Sequence, residues 1–378
     1  MRKFKKILKK MGLLLGGLLL ILVIFVALFV NLSPEFGGSA TKEQKLKYGK
    51  SENYKEGVFI NRGDVKMSMG FGDMVKSIRG YFGPQPNTTP EKAIAVEKID
   101  STSIANYNGP SRLVWFGHSS FLLQMEGKSI LIDPMFGAVP APHPMLGGKR
   151  FSKSLPIEIA KLPKIDAVIF SHDHYDHLDY GSIQLLKDKV DMFYTPLGVG
   201  AHLIEWGVKK EQIVEMDWWE EAEFHGLSFK CTPAQHFSGR GLTDRAKTLW
   251  SSWVIQSKKE NIFFSGDSGY GSHFKEIGEK FGPFDFAMLE CGQYNELWSE
   301  IHMMPEETAQ AGLDVGAKKI MPIHWGAFKL AMHPWTEPVE RVSKKALELG
   351  IAITIPKIGA HIYLDETQIA EEPWWSEY

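Results

Sequence analysis

The stretch Ser171-His172-Asp173-His174-Tyr175-Asp176-His177 leaves this chain few folds to choose from. It follows directly on Ala167-Val168-Ile169-Phe170, four β-compatible apolar residues that read as a short buried strand ending in a polar turn. Alternate residues of an extended segment point the same way, so His172 and His174 present imidazoles to one point. Past the strand end the chain must turn, and Asp176 with His177 then faces a second point nearby. Buried imidazoles and carboxylates without partners are costly, so packing alone is a poor account of three histidines and two aspartates in six residues. Neutral imidazole and carboxylate suit zinc, iron, manganese and similar ions. The chain must therefore build a strand that delivers a metal site at its end.

The N-terminus carries a second constraint. Arg2, Lys3, Lys5, Lys6, Lys9 and Lys10 precede Met11–Leu32, in which no charge appears. A helix of ~20 apolar residues spans a hydrocarbon core of ~30 Å. The basic flank should stay cytoplasmic, which places the rest of the chain, with the metal site, on the extracytoplasmic side as a single-pass membrane protein. Cleavable signal peptides have a shorter apolar part of ~7–15 residues ending in small residues. Asn31-Leu32-Ser33-Pro34 is a poor cleavage site of that kind, so an uncleaved anchor is expected. The formal charge of −2 offers no case for nucleic-acid binding. Cys231 and Cys291 make no disulfide framework and read as two small buried hydrophobes.

Three regions follow: residues 1–32 as basic flank and anchor, 33–110 as tether and lead-in, and 111–378 as the main domain. Gly37 to Gly57, rich in Gly, Lys, Ser and Glu, should be mobile or irregular. Phe71, Met74, Val75, Ile78 and Phe82 recur at helical spacing. That stripe fits packing on the domain better than lying on a bilayer. After Pro110 strands and helices alternate. Strands are expected at 112–116, 121–125, 129–132, 166–170, 228–231, 252–256, 262–264, 284–289, 319–323 and 351–355. Helices are expected at 181–187, 198–207, 272–281, 305–315 and 338–349. Two half-sheets with helices outside predict an α/β, four-layer αββα sandwich.

Further ligands should lie where other strands end. His236 follows the strand containing Cys231, Asp267 sits between Gly266 and Ser268-Gly269, and His324 ends the strand from Lys319. Glycines beside Asp267 allow close backbone approach. Asp133, at another strand end, is either an outer support for a ligand imidazole or an ordinary turn. Substrate contacts are less constrained: His302 lies just before a helix start, and His118 in a Gly-His-Ser-Ser loop by the metal rim. Tyr294 and Tyr270 are loop hydroxyls that could meet a developing oxyanion, though packing suits them better. His333 reads as a bystander. Trp298, Met303, Met304, Trp325, Met332 and Trp335 either line an acyl groove or form core. Trp374 and Trp375 either touch headgroups or pack on the domain.

The motif series resembles the metallo-β-lactamase superfamily. It rests on Trp115-Phe116-Gly117-His118, Asp133-Pro134, the Ser171–Asp179 stretch, Pro233-Ala234-Gln235-His236, Ser265-Gly266-Asp267-Ser268-Gly269 and Ile323-His324-Trp325-Gly326. Within it, the likeness is to N-acyl-phosphatidylethanolamine-hydrolysing phospholipase D and its bacterial RomA-like or L-ascorbate-6-phosphate lactonase-like relatives. The resemblance implies a binuclear hydrolase in which His172, His174 and His236 hold one metal, Asp176, His177 and His324 the second, and Asp267 bridges. Two zinc ions are the expected cofactors, with iron or manganese as alternatives. Asp176, Asp267 and His302 would be catalytic, and His118, Tyr294 and His302 substrate-binding. The implied reaction is metal-activated hydroxide attacking a phosphodiester of an N-acylated phospholipid. The alternatives are a lactone, carboxylic ester or phosphate ester hydrolase with the same site, and a membrane-attached metal-binding envelope factor with little turnover.

Overall fold

The computed structural model describes residues 2–65, 70–364 and 373–378. The apolar N-terminal run is one helix, α1 (Arg2–Leu32), with no buried residue. Next come α2 (Lys42–Tyr48), opened by a capping box between Thr41 and Gln44, and a small hairpin of β1 (Tyr54–Lys55) and β2 (Val58–Phe59). Helices α3 (Phe71–Phe82) and α4 (Ser101–Ala105) complete the lead-in.

This lead-in is not the mobile tether its composition suggests. Trp206 Nε1 donates to the Pro34 carbonyl at 2.7 Å, and Arg240 Nε and Nη2 donate to the Glu35 carbonyl at 2.9 and 2.7 Å. A Cβ on Gly38 would stand 2.5 Å from the Ala201 carbonyl oxygen, so that glycine serves close approach rather than flexibility. Tyr48 is fully buried with its hydroxyl on Glu215, and the Phe59 amide donates to the Ala246 carbonyl. In α3, Met74 is part-exposed; the side chains of Phe71, Ile78 and Phe82 lie outside the described residues.

Two seven-stranded mixed sheets form the body among the described residues. The first contains β3 (Arg112–Trp115), β4 (Phe121–Met125), β5 (Lys128–Ile132), β6 (Ile165–Ile169), β7 (Val190–Pro196) and β8 (Ile213–Met216), closed on its β3 edge by β16 (His361–Tyr363). The second runs from β9 (Glu221–Phe224) through β10 (Leu227–Thr232), β11 (Ser252–Gln256), β12 (Asn261–Phe264), β13 (Phe286–Glu290) and β14 (Lys319–Ile323) to β15 (Ala352–Ile353). In each sheet antiparallel strands give way to parallel ones, at β5–β6 and at β12–β13.

Strand periodicity explains the layers. Phe121, Leu123 and Ile169 face the second sheet, where Trp253, Phe264 and Met321 meet them, while Leu122 and Val168 face outward. That outer face is covered by α5 (Tyr180–Leu186) and α6 (Gly200–Glu205) through Ile183 and Leu203. Helices α7 (His273–Phe281), α8 (Pro305–Asp314) and α9 (Glu337–Leu349) cover Val254 and Phe263 through Ile277, Ala309 and Val342. Burial on both faces is why stretches of the central strands, Ala167–Ile169, Ile262–Phe264 and Phe286–Leu289, read as continuous apolar runs. The result is the expected αββα sandwich. Trp374 and Trp375 are buried against Trp325, the Trp374 ring 5.6 Å from it, so this tail packs on the domain instead of reaching headgroups. Cys231 and Cys291 are both buried and free.

Candidate metal centre

The strand β6 delivers the first residues. After Phe170 the backbone folds so that the His177 and Leu178 amides both donate to the His174 carbonyl, at 3.0 and 2.8 Å. This turn separates Asp176 and His177 from His172 and His174. The second sheet supplies the rest: His236 follows β10, Asp267 follows β12 and His324 follows β14. Asp267 is admitted by Gly266, whose φ is +57°; a Cβ there would lie 2.7 Å from both Ser171 Cβ and the Ser251 carbonyl oxygen.

Two groups of side chains converge. In the first, His172 Nε2 lies 2.9 Å and His236 Nε2 3.2 Å from His174 Nδ1, and Asp267 Oδ2 is 3.8 Å from the Nε2 of both His172 and His236. In the second, Asp176 Oδ2 lies 3.5 Å from His177 Nε2 and 3.8 Å from His324 Nε2. Asp267 reaches this group too, with Oδ2 3.1 Å from His177 Nε2 and Oδ1 3.1 Å from His324 Nδ1. Within each group the donor atoms lie within 4.8 Å of one another.

These residues fit cations. Burial holds the His172, His236 and His324 imidazoles well below their ordinary range and lowers His174 to about 4, so all four present neutral rings, the form that ligates. Burial likewise raises the Asp267 carboxyl to about 7, the mark of a carboxylate short of positive charge. Burial alone would lower His177, but Asp267, Asp176 and Asp133 outweigh it and raise it. His177 Nε2 and Asp267 Oδ1 are buried with no hydrogen-bond partner among the described residues. Orphaned lone pairs at the meeting point of so many donors are what a bound cation satisfies.

An outer ring of groups orients the donors. Asp133 Oδ2 lies 2.7 Å from His177 Nδ1, and its Oδ1 takes the Ser171 amide at 2.7 Å, so of its two readings the supporting one is the one formed. The Ile301 carbonyl lies 2.9 Å from His236 Nδ1. Asn61, in the lead-in, exchanges hydrogen bonds with the His236 backbone: Nδ2 donates to the carbonyl at 2.7 Å and Oδ1 accepts from the amide at 3.1 Å. Glu290, fully buried at the end of β13, lies 2.5 Å from His302 Nδ1 and accepts from the Ser268 amide at 2.9 Å. Sequence reasoning missed Asn61 and Glu290; Glu290 follows an apolar run just as Asp133 does.

Several expected substrate contacts lie elsewhere. His118 is fully buried, with Nε2 2.8 Å from Asp176 Oδ2, so it stands behind a carboxylate and not on the rim. The Tyr294 hydroxyl is engaged by Glu337 and Arg341, and the Tyr270 hydroxyl donates to Asp314, so neither is free to meet an oxyanion. His333 Nε2 accepts from the Gln293 amide at 3.0 Å. Met303 and Trp325 are core. His302 and Trp298 do face the cavity. It measures about 510 Å³, with His174, Asp176, Asp267, His302 and His324 at its floor and Met74, Phe237, Leu297, Trp298, Ile301 and Leu330, together with the polar Arg245 and Gln293, along its walls.

The profile of the beta-lactamase superfamily domain matches residues 128–325. An uncharacterized protein of Mycobacterium tuberculosis is 40% identical over 333 residues, covering 86% of this chain and 87% of that one. N-acyl-phosphatidylethanolamine-hydrolyzing phospholipase D 1 of Caenorhabditis elegans is 32% identical over 228 residues, 57% of this chain and 64% of that one. Among solved structures, Igni18, a metallo hydrolase from Ignicoccus hospitalis, superposes with a TM-score of 0.51 at 20% identity, over 67% of this chain and 98% of that one. The chain belongs to the beta-lactamase superfamily and has the metallo-β-lactamase fold. It is a metal-dependent hydrolase with a candidate His/Asp metal cluster and an N-terminal apolar helix long enough to anchor it in a membrane.

Proposed function

We propose that this chain is a membrane-anchored binuclear hydrolase that cleaves a phosphodiester in a lipid-like substrate, a phospholipase D-type reaction on an N-acyl-phosphatidylethanolamine-like lipid. The observation that carries the reading is the pair of His/Asp groups, both within reach of Asp267, at the floor of a cavity with mainly apolar walls. His172, His174 and His236 would hold one ion, Asp176, His177 and His324 the other, with Asp267 between them. Zinc suits these donors, and iron or manganese are the alternatives. Bound ions would supply a nucleophile from water near neutral pH and positive charge for the phosphoryl oxygens.

The chain's own groups do the remaining work. Burial raises Glu290 well above the carboxylate range and lowers His302. The pair is then a carboxylic acid donating to Nδ1, which leaves the imidazole proton on Nε2. From there the Nε2–H can hydrogen-bond the leaving oxygen and stabilise the charge that develops on it. His118 holds Asp176 from behind. Phe237, Leu297, Trp298 and Leu330 exclude water and offer methylene contacts to acyl or glycerol carbons. The lipid assignment draws on these walls, on α1 and on the named activity of the Caenorhabditis elegans relative.

The basic flank of α1 argues for a cytoplasmic N-terminus and an extracytoplasmic hydrolase domain. A reporter fused after Tyr378 tests that: activity of a cytoplasm-only reporter would overturn it. The reaction is tested with the full chain in mixed micelles, offered an N-acyl-phosphatidylethanolamine, a lactone and a carboxylic ester. Release of phosphatidate is expected. Turnover of the lactone or ester alone would replace the phosphodiesterase reading with an ester or lactone hydrolase. Metal binding with no turnover of any would leave a binding role.

A further inference from the structure

The segment from Gly137 to Gly148, between β5 and β6, holds no Asp, Glu, Lys or Arg. Its tip does not fold back on the domain: Met145 is 86% and Leu146 64% exposed. Single exposed apolar residues are ordinary, so exposure alone assigns nothing. Three further observations give this tip an address.

The His143 ring meets the Phe29 ring of α1 edge to face, with centroids 6.2 Å apart. At ~1.5 Å per residue, the uncharged run Met11–Leu32 is about 33 Å long, close to the ~30 Å of a hydrocarbon core. Phe29, three residues before Leu32, then lies roughly 5 Å inside the boundary. A loop in contact with that ring sits at the boundary itself. The direction of α1 against the domain is also fixed, because Arg240 and Trp206 hold the carbonyls just after it and the Phe36 ring lies edge-on to Tyr175 at 6.4 Å. Finally, the amides of the two exposed residues are engaged within the tip. The Leu146 amide donates to the His143 carbonyl at 2.9 Å, the Met145 amide donates to His143 Nδ1 at 3.2 Å, and Pro140, Pro142 and Pro144 have no N–H to satisfy. Lipid tolerates backbone only when its donors are satisfied or absent.

We propose that this loop is a second membrane contact, its Met145 and Leu146 side chains inserting into the interfacial layer of the leaflet from which α1 emerges. The proposal rests on the reading of α1 as a membrane span. Its consequence is orientation: Tyr175 lies within the ligand loop, so the strand ends carrying the metal donors face the same leaflet.

The test uses the full chain reconstituted in phosphatidylcholine–phosphatidylglycerol vesicles, with single cysteines carrying an environment-sensitive dye. Cys231 and Cys291 are fully buried and do not compete for label. Met145→Cys is the probe and Leu22→Cys, in α1, reports the span. Leu347→Cys is the aqueous reference; Leu347 is 83% exposed near the end of α9, which closes beside β15 at the sheet end opposite His324. Expected is a blue-shifted emission at 145 that loses most of its intensity to shallow doxyl lipids and resists aqueous iodide, with the reverse at 347. A label at 145 that behaves like 347 while 22 is quenched from the lipid overturns the second contact alone. A label at 22 open to iodide overturns the span, and the second contact with it.

Discussion

Replacing Asp133 by asparagine should uncouple one metal position without touching a metal donor. Asp133 and His177 are both fully buried, and the carboxylate keeps the imidazole proton on Nδ1, leaving Nε2 as a lone pair toward the cluster. Asparagine has the same size, but only one of its ends accepts. With its oxygen still on the Ser171 amide, its NH₂ faces Nδ1, and two N–H groups cannot face each other. The His177 proton must then move to Nε2, the atom that should bind. Loss of such a support weakens metal binding by about 10–100-fold. By linkage the variant loses about 1.4–2.7 kcal/mol of metal-dependent stabilisation at saturating metal. The metal-free protein also loses one of the three carboxylates that raise His177, so the metal-dependent part is the difference between unfolding with and without metal. Competition against a chelating dye reads the affinity, and unfolding with and without metal reads the stability. Unchanged affinity for both ions would refute the tautomer argument.

Three further outcomes follow from the same contacts. Glu290→Gln keeps both the acceptor for the Ser268 amide and a donor to His302 Nδ1, so it should keep most of its turnover, whereas Glu290→Leu should lose about 10²-fold in kcat; equal losses would mean that a charged carboxylate is needed. Asn61→Ala leaves the His236 amide and carbonyl buried without their partner and should cost about 1–3 kcal/mol in denaturant unfolding. A fragment beginning at Ser33 should be more stable than one beginning at Thr41, by about 1.5–3 kcal/mol for the hydrogen bonds from Arg240 to Glu35; equal stability would return the segment to the role of a loose tether.

What the sequence made legible was whatever is local. A polar residue just after an apolar run marks a strand end, and His172, His236, Asp267 and His324 all announce themselves that way. The two-sided burial of β6, β12 and β13 is written in the apolar runs Ala167–Phe170, Ile262–Phe264 and Phe286–Leu289. Edge strands are harder: β8 and β9 carry Glu215, Glu221 and Glu223, and β16 pairs with β3 from far along the chain, so no local pattern marks them. The remaining misreadings have the same origin. Gly37 and Gly38 look like a flexible linker until Ala201 and His202 are placed against them. His118 looks like a rim residue, yet its positive φ of 57° tucks it behind Asp176. Tyr294, named as a substrate contact, looks available because Glu337 lies many residues away. Asn61, in a segment read as a lead-in, supports a ligand it precedes by most of the first sheet.

The central claim is a paired metal site joined by Asp267. Elemental analysis of the full-length protein beside its Asp267→Ala variant, with phosphodiester turnover measured on the same samples, tests it most directly. The account predicts two transition-metal ions per chain with turnover in the parent, and loss of metal and of turnover together in the variant. Full metal content and full activity in Asp267→Ala would contradict it.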